Sequence, residues 1–591
     1  MKKTSSIKRL LSAVKGYRLQ TILTPIFMIG EVVGECLIPF LMAKFLLGHL
    51  EAVNKGIATL NWAHLLLWSG ILVLCAIVSL IFGSLAGITA AKAGAGFAKN
   101  LRRDLYYSIQ NYSFKNIDNF SSASLVTRLT TDVTNVQMAF MMTIRMAVRA
   151  PMMMIVSTIF ATRIYPKAGL VYLISVPFLL IALGIIMIRA VKIFNKIFKK
   201  YDALNNSVQE NVKAMRVVKA YVREDYEKQK FFKSAEDVKL SFEKAEKITA
   251  LNAPAMMLAM HGTTTAILFL CANAGINGAG FNVANLSALV TYSTQLLMSF
   301  MMLSMVFVMI TIAFASIKRV LEVLEETPTI VSPENAVLEV FDGSVEFENV
   351  SFKYSQTAEK FALKTVSLKI NAGETVGILG ATGSSKTSLI SLIPRLYDAT
   401  EGTVKVGGVN VKDYDLKTLR DAVSVVLQKN ELFSGTIYEN IRWGDENATD
   451  EEVVKACKMA CADEFISTFP DGYNTKIEQG GTNVSGGQKQ RLCIARAILK
   501  KPKILIFDDS TSAVDTKTDA LIRLSIKNEI PNTTKIIIAQ RVASVQDADK
   551  IIILENGEIN AIGTHDELLN SNAIYQEVYY SQNKITNKGV N

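Results

Sequence analysis

Thr375-Val-Gly-Ile-Leu379-Gly380-Ala-Thr-Gly383-Ser-Ser385-Lys386-Thr387-Ser388 decides how the second half of this 591-residue chain folds. A short β-rich run leads straight into a glycine loop that ends in Lys-Thr, and an apolar helix start follows. In that order the three make a P-loop, whose backbone N–H groups and helix N-terminus cradle phosphates. The expected phosphate-binding residues are Gly380, Ala381, Thr382, Gly383, Ser384, Ser385, Lys386, Thr387 and Ser388. Lys386 should reach the β and γ phosphates of ATP, and Thr387 should hold Mg²⁺ through its hydroxyl. One position is off pattern. Glycine is expected just before the lysine, where its conformational freedom lets backbone approach phosphate, and Ser385 stands there. Binding is expected to survive, because the lysine, the hydroxyl and the remaining glycines are in place.

Further downstream, Ile504-Leu-Ile-Phe507-Asp508 ends an apolar strand on a carboxylate, the position from which a Mg²⁺ shell is held. Asp508 is assigned that role. An aspartate that merely caps the next helix is the alternative reading, and it suits Asp515 better.

Upstream the texture changes. Half of the chain is hydrophobic and its mean hydropathy is +0.26, a balance set by long apolar runs before residue 315. Crossing about 30 Å of hydrocarbon takes about 20 helical residues, and runs of that kind lie near 20–46, 62–91, 138–162, 168–188, 248–275 and 283–314. Six spans leave both termini on one side. The connections 92–137 and 189–247 are long, polar and helical in pattern; in the second, Tyr201, Leu204, Val208, Val212, Met215 and Val218 form one apolar stripe. Short helices are expected where these extensions turn, around Phe114 to Ser121 and Lys213 to Tyr221, as the places where force passes between membrane and soluble halves.

The net charge of +11 does not point to nucleic acid. Its lysines and arginines gather beside the apolar runs, as at Lys8, Arg9 and Lys15, at Lys99, Arg102 and Arg103, and at Lys318 and Arg319. That is the positive-inside pattern of a polytopic membrane protein with these flanks in the cytoplasm. The six cysteines lack metal-ligand spacing and read as small buried residues. Ser6-Ile-Lys-Arg-Leu-Leu-Ser-Ala-Val14 reads as an amphipathic helix on the inner membrane face rather than a cleavable signal peptide.

Ionisable groups within spans are costly. Glu31 and Glu35 share a face of the first, Arg145 and Arg149 a face of the third, and His261 lies in the fifth. They are either ion-paired between helices or part of a substrate pathway. Methionines cluster at Met152-Met-Met154, at Met256, Met257 and Met260, and at Met301, Met302, Met305 and Met309. They suit either helix packing or a surface adaptable to varied apolar shapes.

Between the P-loop and Asp508 lies Asn483-Val-Ser485-Gly486-Gly487-Gln488-Lys-Gln-Arg491. With its neighbours it resembles the signature of ATP-binding cassette (ABC) transporters, and the whole chain is similar to a half-transporter of the exporter type. The resemblance implies a six-helix membrane domain with long cytoplasmic extensions, followed by an α/β P-loop nucleotide-binding domain. Its limits would be an elbow at 1–19, a transmembrane domain at 20–325, a linker at 326–343, a nucleotide-binding domain at 344–578 and a tail at 579–591. By the same resemblance Tyr354 stacks on adenine, Gln428 senses Mg²⁺ and the membrane domain, and Ser512-Ala-Val-Asp515 communicates between two ATP sites. In such proteins two nucleotide domains meet head to tail. Ser485, Gly486, Gly487, Gln488 and Asp515 therefore serve the ATP held by the partner chain.

Two positions depart from that family. Asp509 stands where a glutamate would polarise water, and Gln540, in Ile536-Ile-Ile-Ala-Gln540-Arg541, where a histidine would hold the γ-phosphate. Asp is one methylene shorter than Glu, about 1.5 Å of reach, and a misplacement of about 1 Å costs on the order of a hundredfold in rate. Gln540 can hydrogen-bond a phosphate but does not titrate. The signature is intact. The expectation is a degenerate subunit of a heterodimeric, multi-pass ABC exporter in the cell membrane. A second, different half-transporter would carry the competent catalytic residues and do most of the hydrolysis, and the cargo would be a hydrophobic or amphipathic small molecule, drug-like or lipid. The alternative is a nucleotide-gated, channel-like membrane protein. With apolar sequence starting near residue 20, an amino-terminal peptidase domain and a bacteriocin-processing role are not expected.

Overall fold

The computed structural model describes residues 6–54, 56, 59–276, 283–355, 358–510 and 514–587. The chain divides into two compact units. One comprises Met1–Gln110 and Ser121–Glu326, the other Asn111–Phe120 and Thr327–Asn591.

The first unit is helical, and six of its helices are long and apolar enough to cross a membrane: Arg18–Asn54, Trp62–Gln110, Ser122–Ile164, Pro166–Ile186, Glu224–Asn273 and Val283–Glu325. Several run well past the apolar sequence that marks them. Trp62–Gln110 continues unbroken for 49 residues, about 70 Å at 1.5 Å per residue. The first continues beyond residue 46 through a π-helical turn at Met42–Leu47 and on to Asn54. The expected helical turns are present as Phe114–Asp118 and Met215–Ala220. The apolar stripe from Tyr201 to Val218 does not lie on one helix. The helix Pro166–Lys213 ends before Ala214, so Val208 and Val212 sit on it while Met215 and Val218 sit on the next. All four line one groove of about 450 Å³ together with Phe231.

Buried tyrosines tie the spans together. Tyr172 donates to the Leu289 carbonyl at 2.6 Å and Tyr292 to that of Cys36 at 2.7 Å, each satisfying a hydroxyl that would be costly to leave unpaired in an apolar core. Where the third and sixth of these helices meet, the fully buried Asp132 accepts from Arg319 Nε at 2.8 Å and from Ser316 at 2.8 Å.

The second unit is α/β. Its main sheet has six strands in the order Glu558–Gly563, Lys550–Glu555, Thr375–Leu379, Thr534–Ile538, Ile504–Asp508, Val423–Val426; all neighbours are parallel except the first pair. Strict alternation sends Ile504, Ile506, Ile536 and Ile538 to one face, where an antiparallel sheet of Val345–Phe352, Leu363–Ile370, Glu401–Val406 and Val409–Asn410 covers them. Leu505, Phe507 and Ile537 face the opposite way, into a core built largely by helices. Strands buried on both sides read as near-continuous apolar runs, as Ile536-Ile-Ile538 does.

Candidate functional site

Four consecutive parallel strands deliver the candidate residues from their C-terminal ends. In spatial order these are Thr375–Leu379, Thr534–Ile538, Ile504–Asp508 and Val423–Val426, with Ile538 in register with both Ile378 and Asp508. They are followed by the P-loop, Gln540, Asp509 and Gln428. Open α/β sheets bind ligands at this edge, where the loops after neighbouring strands converge.

At the P-loop, Gly380 sits so close to the next strand that a Cβ would lie 2.2 Å from the Leu554 carbonyl oxygen. Ser385 stands at the head of the helix Lys386–Ser391, without a capping side-chain hydrogen bond, at φ +74° and ψ +25°. Serine has taken the left-handed conformation that glycine adopts freely, so the loop keeps its path at a cost of about 1 kcal/mol. Lys386 Nζ donates to the carbonyls of Gly380 and Ala381 at 2.7 and 3.0 Å. Burial pushes its ammonium below the ordinary lysine range, opposed by the carboxylates of Asp509 and Asp508. The Thr387 hydroxyl lies 3.0 Å from both carboxylate oxygens of the buried Asp508. Burial raises the Asp508 carboxyl, with Thr387 pulling it down, Asp509 pushing it further up and Lys386 pulling it down. Hydroxyl and carboxylate oxygens converging beside a phosphate loop form a donor set that fits Mg²⁺, which takes few protein oxygens and completes its shell with phosphate and water.

Asp509 and Gln540 meet. Gln540 Nε2 donates to Asp509 Oδ2 at 2.6 Å, and Gln428 Nε2 lies 3.5 Å from the same oxygen. Asp509 itself has φ +48° and is held by its N–H to the Ile538 carbonyl at 3.0 Å. The two departures from the family pattern are thus one hydrogen-bonded pair, which no spacing in the sequence reveals. Gln582, from the C-terminal helix Ala573–Asn587, was not foreseen either. It donates to the Gln540 carbonyl at 2.8 Å and accepts from Val542 N–H at 2.9 Å, bracketing Arg541.

Tyr354 lies beside the P-loop helix, its hydroxyl 2.8 Å from Ser388 Oγ. Its ring meets Phe352 and Tyr397 edge-on at 4.8 and 5.3 Å, and the sequence carried no signal for Tyr397. The signature residues stand elsewhere on the unit. Ser485 caps the 14-residue helix Gly486–Leu499, accepting from Gln488 N–H at 3.3 Å while its own N–H donates to Gln488 Oε1 at 2.9 Å. This capping box leaves Gly486 and Gly487 at a helix N-terminus suited to an anion. Asp515 caps the helix Thr516–Glu529 through Thr518 N–H at 3.0 Å, and that backbone hydrogen bond holds its carboxyl below the usual range. Ser512 and Ala513 lie outside the described residues.

In the helical unit Arg149 pairs with Glu31 at 3.0 Å and with Glu35 at 2.7 Å, joining the first and third spans. Arg145 Nε has no hydrogen-bond partner among the described residues, and His261 is exposed. Glu35, Arg149, Met153, Gln295, Met298 and Met302 border a cavity of about 250 Å³.

The ABC transporter family model matches residues 363–512, and the model for the ABC transporter transmembrane region matches residues 21–300. The chain is 34% identical over 576 residues to YfiB of Bacillus subtilis, an ABC transporter ATP-binding protein itself uncharacterised, covering 98% of each chain. It is 34% identical over 490 residues, 82% of this chain and 83% of the other, to YgaD of Bacillus subtilis, which carries the provisional designation multidrug export ATP-binding/permease protein. A solved bacterial Atm1-family ABC exporter with ATP bound shares the fold at a TM-score of 0.79 and 23% identity, covering 97% of this chain and 98% of that one. Transmembrane region and ATPase joined in one chain, matched over 98% of its length by YfiB, establish that this protein belongs to the ABC transporter family.

Proposed function

We propose that this chain is the weakened-site subunit of a heterodimeric exporter that moves hydrophobic or amphipathic compounds out of the cytoplasm. The reading rests on the 2.6 Å hydrogen bond from Gln540 to Asp509. A carboxylate that polarises water must offer an oxygen to it, and here an amide N–H takes one oxygen while the side chain is about 1.5 Å short of a glutamate's reach. Lys386, Thr387 and Asp508 keep the groups for ATP and Mg²⁺, with Tyr354 on the adenine, so the site holds nucleotide and turns it over slowly. The capped N-terminus at Ser485, Gly486, Gly487 and Gln488 has nothing comparable against it among the described residues and serves the ATP of a different half-transporter, which carries the glutamate and histidine. Cycles of closure and reopening at that second site drive the spans between inward- and outward-facing states. The cytoplasmic placement of the N-terminus and nucleotide domain follows from the basic flanks. The designation of YgaD as a multidrug exporter supports a drug-like or lipid cargo.

The test is ATPase of the purified chain alone and with the half-transporter encoded beside it. Weak activity alone and strong activity together are expected. Strong activity from the lone chain, abolished by Lys386→Ala, sinks the proposal.

A further inference from the structure

Asn111–Phe120 lies in sequence between the second and third membrane-crossing helices, yet it belongs to the nucleotide unit. Its helix Phe114–Asp118 is anchored at both ends. At the head, Ser113 Oγ meets Thr329 Oγ1 at 2.6 Å. Asn116 donates to the Thr327 carbonyl at 3.0 Å and accepts from Thr329 N–H at 3.1 Å. At the tail, Tyr397 donates its hydroxyl to Asp118 Oδ2 at 2.7 Å, and its ring meets Phe114 edge-on at 6.1 Å.

Tyr397 has a second neighbour. Its ring stands at 84° to that of Tyr354, with centroids 5.3 Å apart, and Tyr354 in turn reaches Ser388 on the P-loop helix. A continuous path therefore runs Asp118, Tyr397, Tyr354, Ser388. Edge-on aromatic pairs have a preferred geometry, so fixing the plane of one ring fixes the other. Burial, and then the hydrogen bond to Asp118, push the Tyr397 phenol above its ordinary range, so it remains a donor at physiological pH. A hydrogen bond to a carboxylate is stronger than one between neutral groups.

We infer that Tyr397 is a positioning residue that makes the order of segment 111–120 depend on whether a nucleobase is stacked on Tyr354. The inference rests on the reading of Tyr354 as the adenine platform. A base lying on the Tyr354 face immobilises that ring; Tyr397, packed against it, is immobilised too, and its hydroxyl then holds Asp118. The phosphates alone reach this path only at Ser388 and touch neither tyrosine ring. Occupancy by a nucleotide is thus distinguished from occupancy by a phosphate chain, and the distinction is delivered to the stretch that joins two membrane helices.

Hydrogen exchange of residues 111–120, measured on the full chain in lipid nanodiscs, tests this. Saturating ATP should slow exchange about fivefold or more, and inorganic tripolyphosphate should not. Tyr397→Phe, which keeps the ring, should remove the ATP-dependent slowing while ATP affinity falls by no more than about threefold; Asp118→Ala, which removes the acceptor, should behave alike. Tyr354→Ala should weaken ATP about tenfold, the range expected for losing one base–aromatic stack. Persistent slowing in Tyr397→Phe, or equal slowing by tripolyphosphate, overturns the inference while the adenine assignment stands. Unchanged ATP affinity in Tyr354→Ala overturns both.

Discussion

The nucleotide unit has two regions proposed to meet ATP, and they differ in how their side chains are engaged. At the strand ends, Asp509 and Gln540 are turned toward each other across neighbouring strands. At the head of Gly486–Leu499, Ser485 and Gln488 satisfy the helix N-terminus between themselves and leave its glycines presenting bare backbone. Both regions are internally satisfied, but on the proposed assignment only in the first does this occupy the group that hydrolysis needs. The difference teaches that hydrogen-bond saturation is no measure of competence. A capping box strengthens an anion site because it orders N–H donors, whereas an amide on a general base withdraws an acceptor.

If the two regions serve different ATP molecules, they respond unequally to damage. In the assembly with the proposed partner half-transporter, Gly487→Asp, which puts a carboxylate where an anion is expected to bind, should lower steady-state ATPase by about a hundredfold or more, the scale of losing one preorganised electrostatic contact. Lys386→Ala in the same assembly should cost less than about tenfold. Equal losses break the comparison.

Restoring the strand ends sharpens it. The double change Asp509→Glu with Gln540→His should raise single-turnover hydrolysis by the lone chain on the order of tenfold, with either change alone giving less than about threefold, because contacting residues act non-additively. Additive gains show that the pair is not coupled.

The two serines offer a contrast of sign. Ser485→Ala removes a helix cap and should destabilise the nucleotide unit by about 1 kcal/mol. Ser385→Gly relieves a left-handed backbone, offset by glycine's greater chain entropy, and should stabilise it by about 0.5 kcal/mol. Calorimetric melting of the two variants reads both. A loss of stability in Ser385→Gly means the φ of +74° carries no strain.

How much of this is legible beforehand depends on the range of the forces involved. The P-loop, the acidic strand end and the signature cap each rest on residues within one turn or one loop, so their spacing shows them. Thr387 facing Asp508 follows once both strands are placed. The Gln540–Asp509 pair needs the order of four strands, and Tyr397 needs the packing of the antiparallel sheet, neither of which periodicity records. Hydropathy marks the apolar centre of each long helix but not its ends; Trp62–Gln110 runs on through polar sequence because backbone hydrogen bonds do not depend on the solvent outside. The stripe from Tyr201 to Val218 misled for the opposite reason. A break after Lys213 keeps its spacing while changing its helix.

The four parallel strands bring the P-loop, Gln540, Asp509 and Gln428 together by backbone register. Gln428 and Gln540 are exposed at those strand tips, whereas Asp509 is buried. The two glutamines can therefore be exchanged without disturbing the apolar core, while Asp509, buried and at φ +48°, is more tightly constrained.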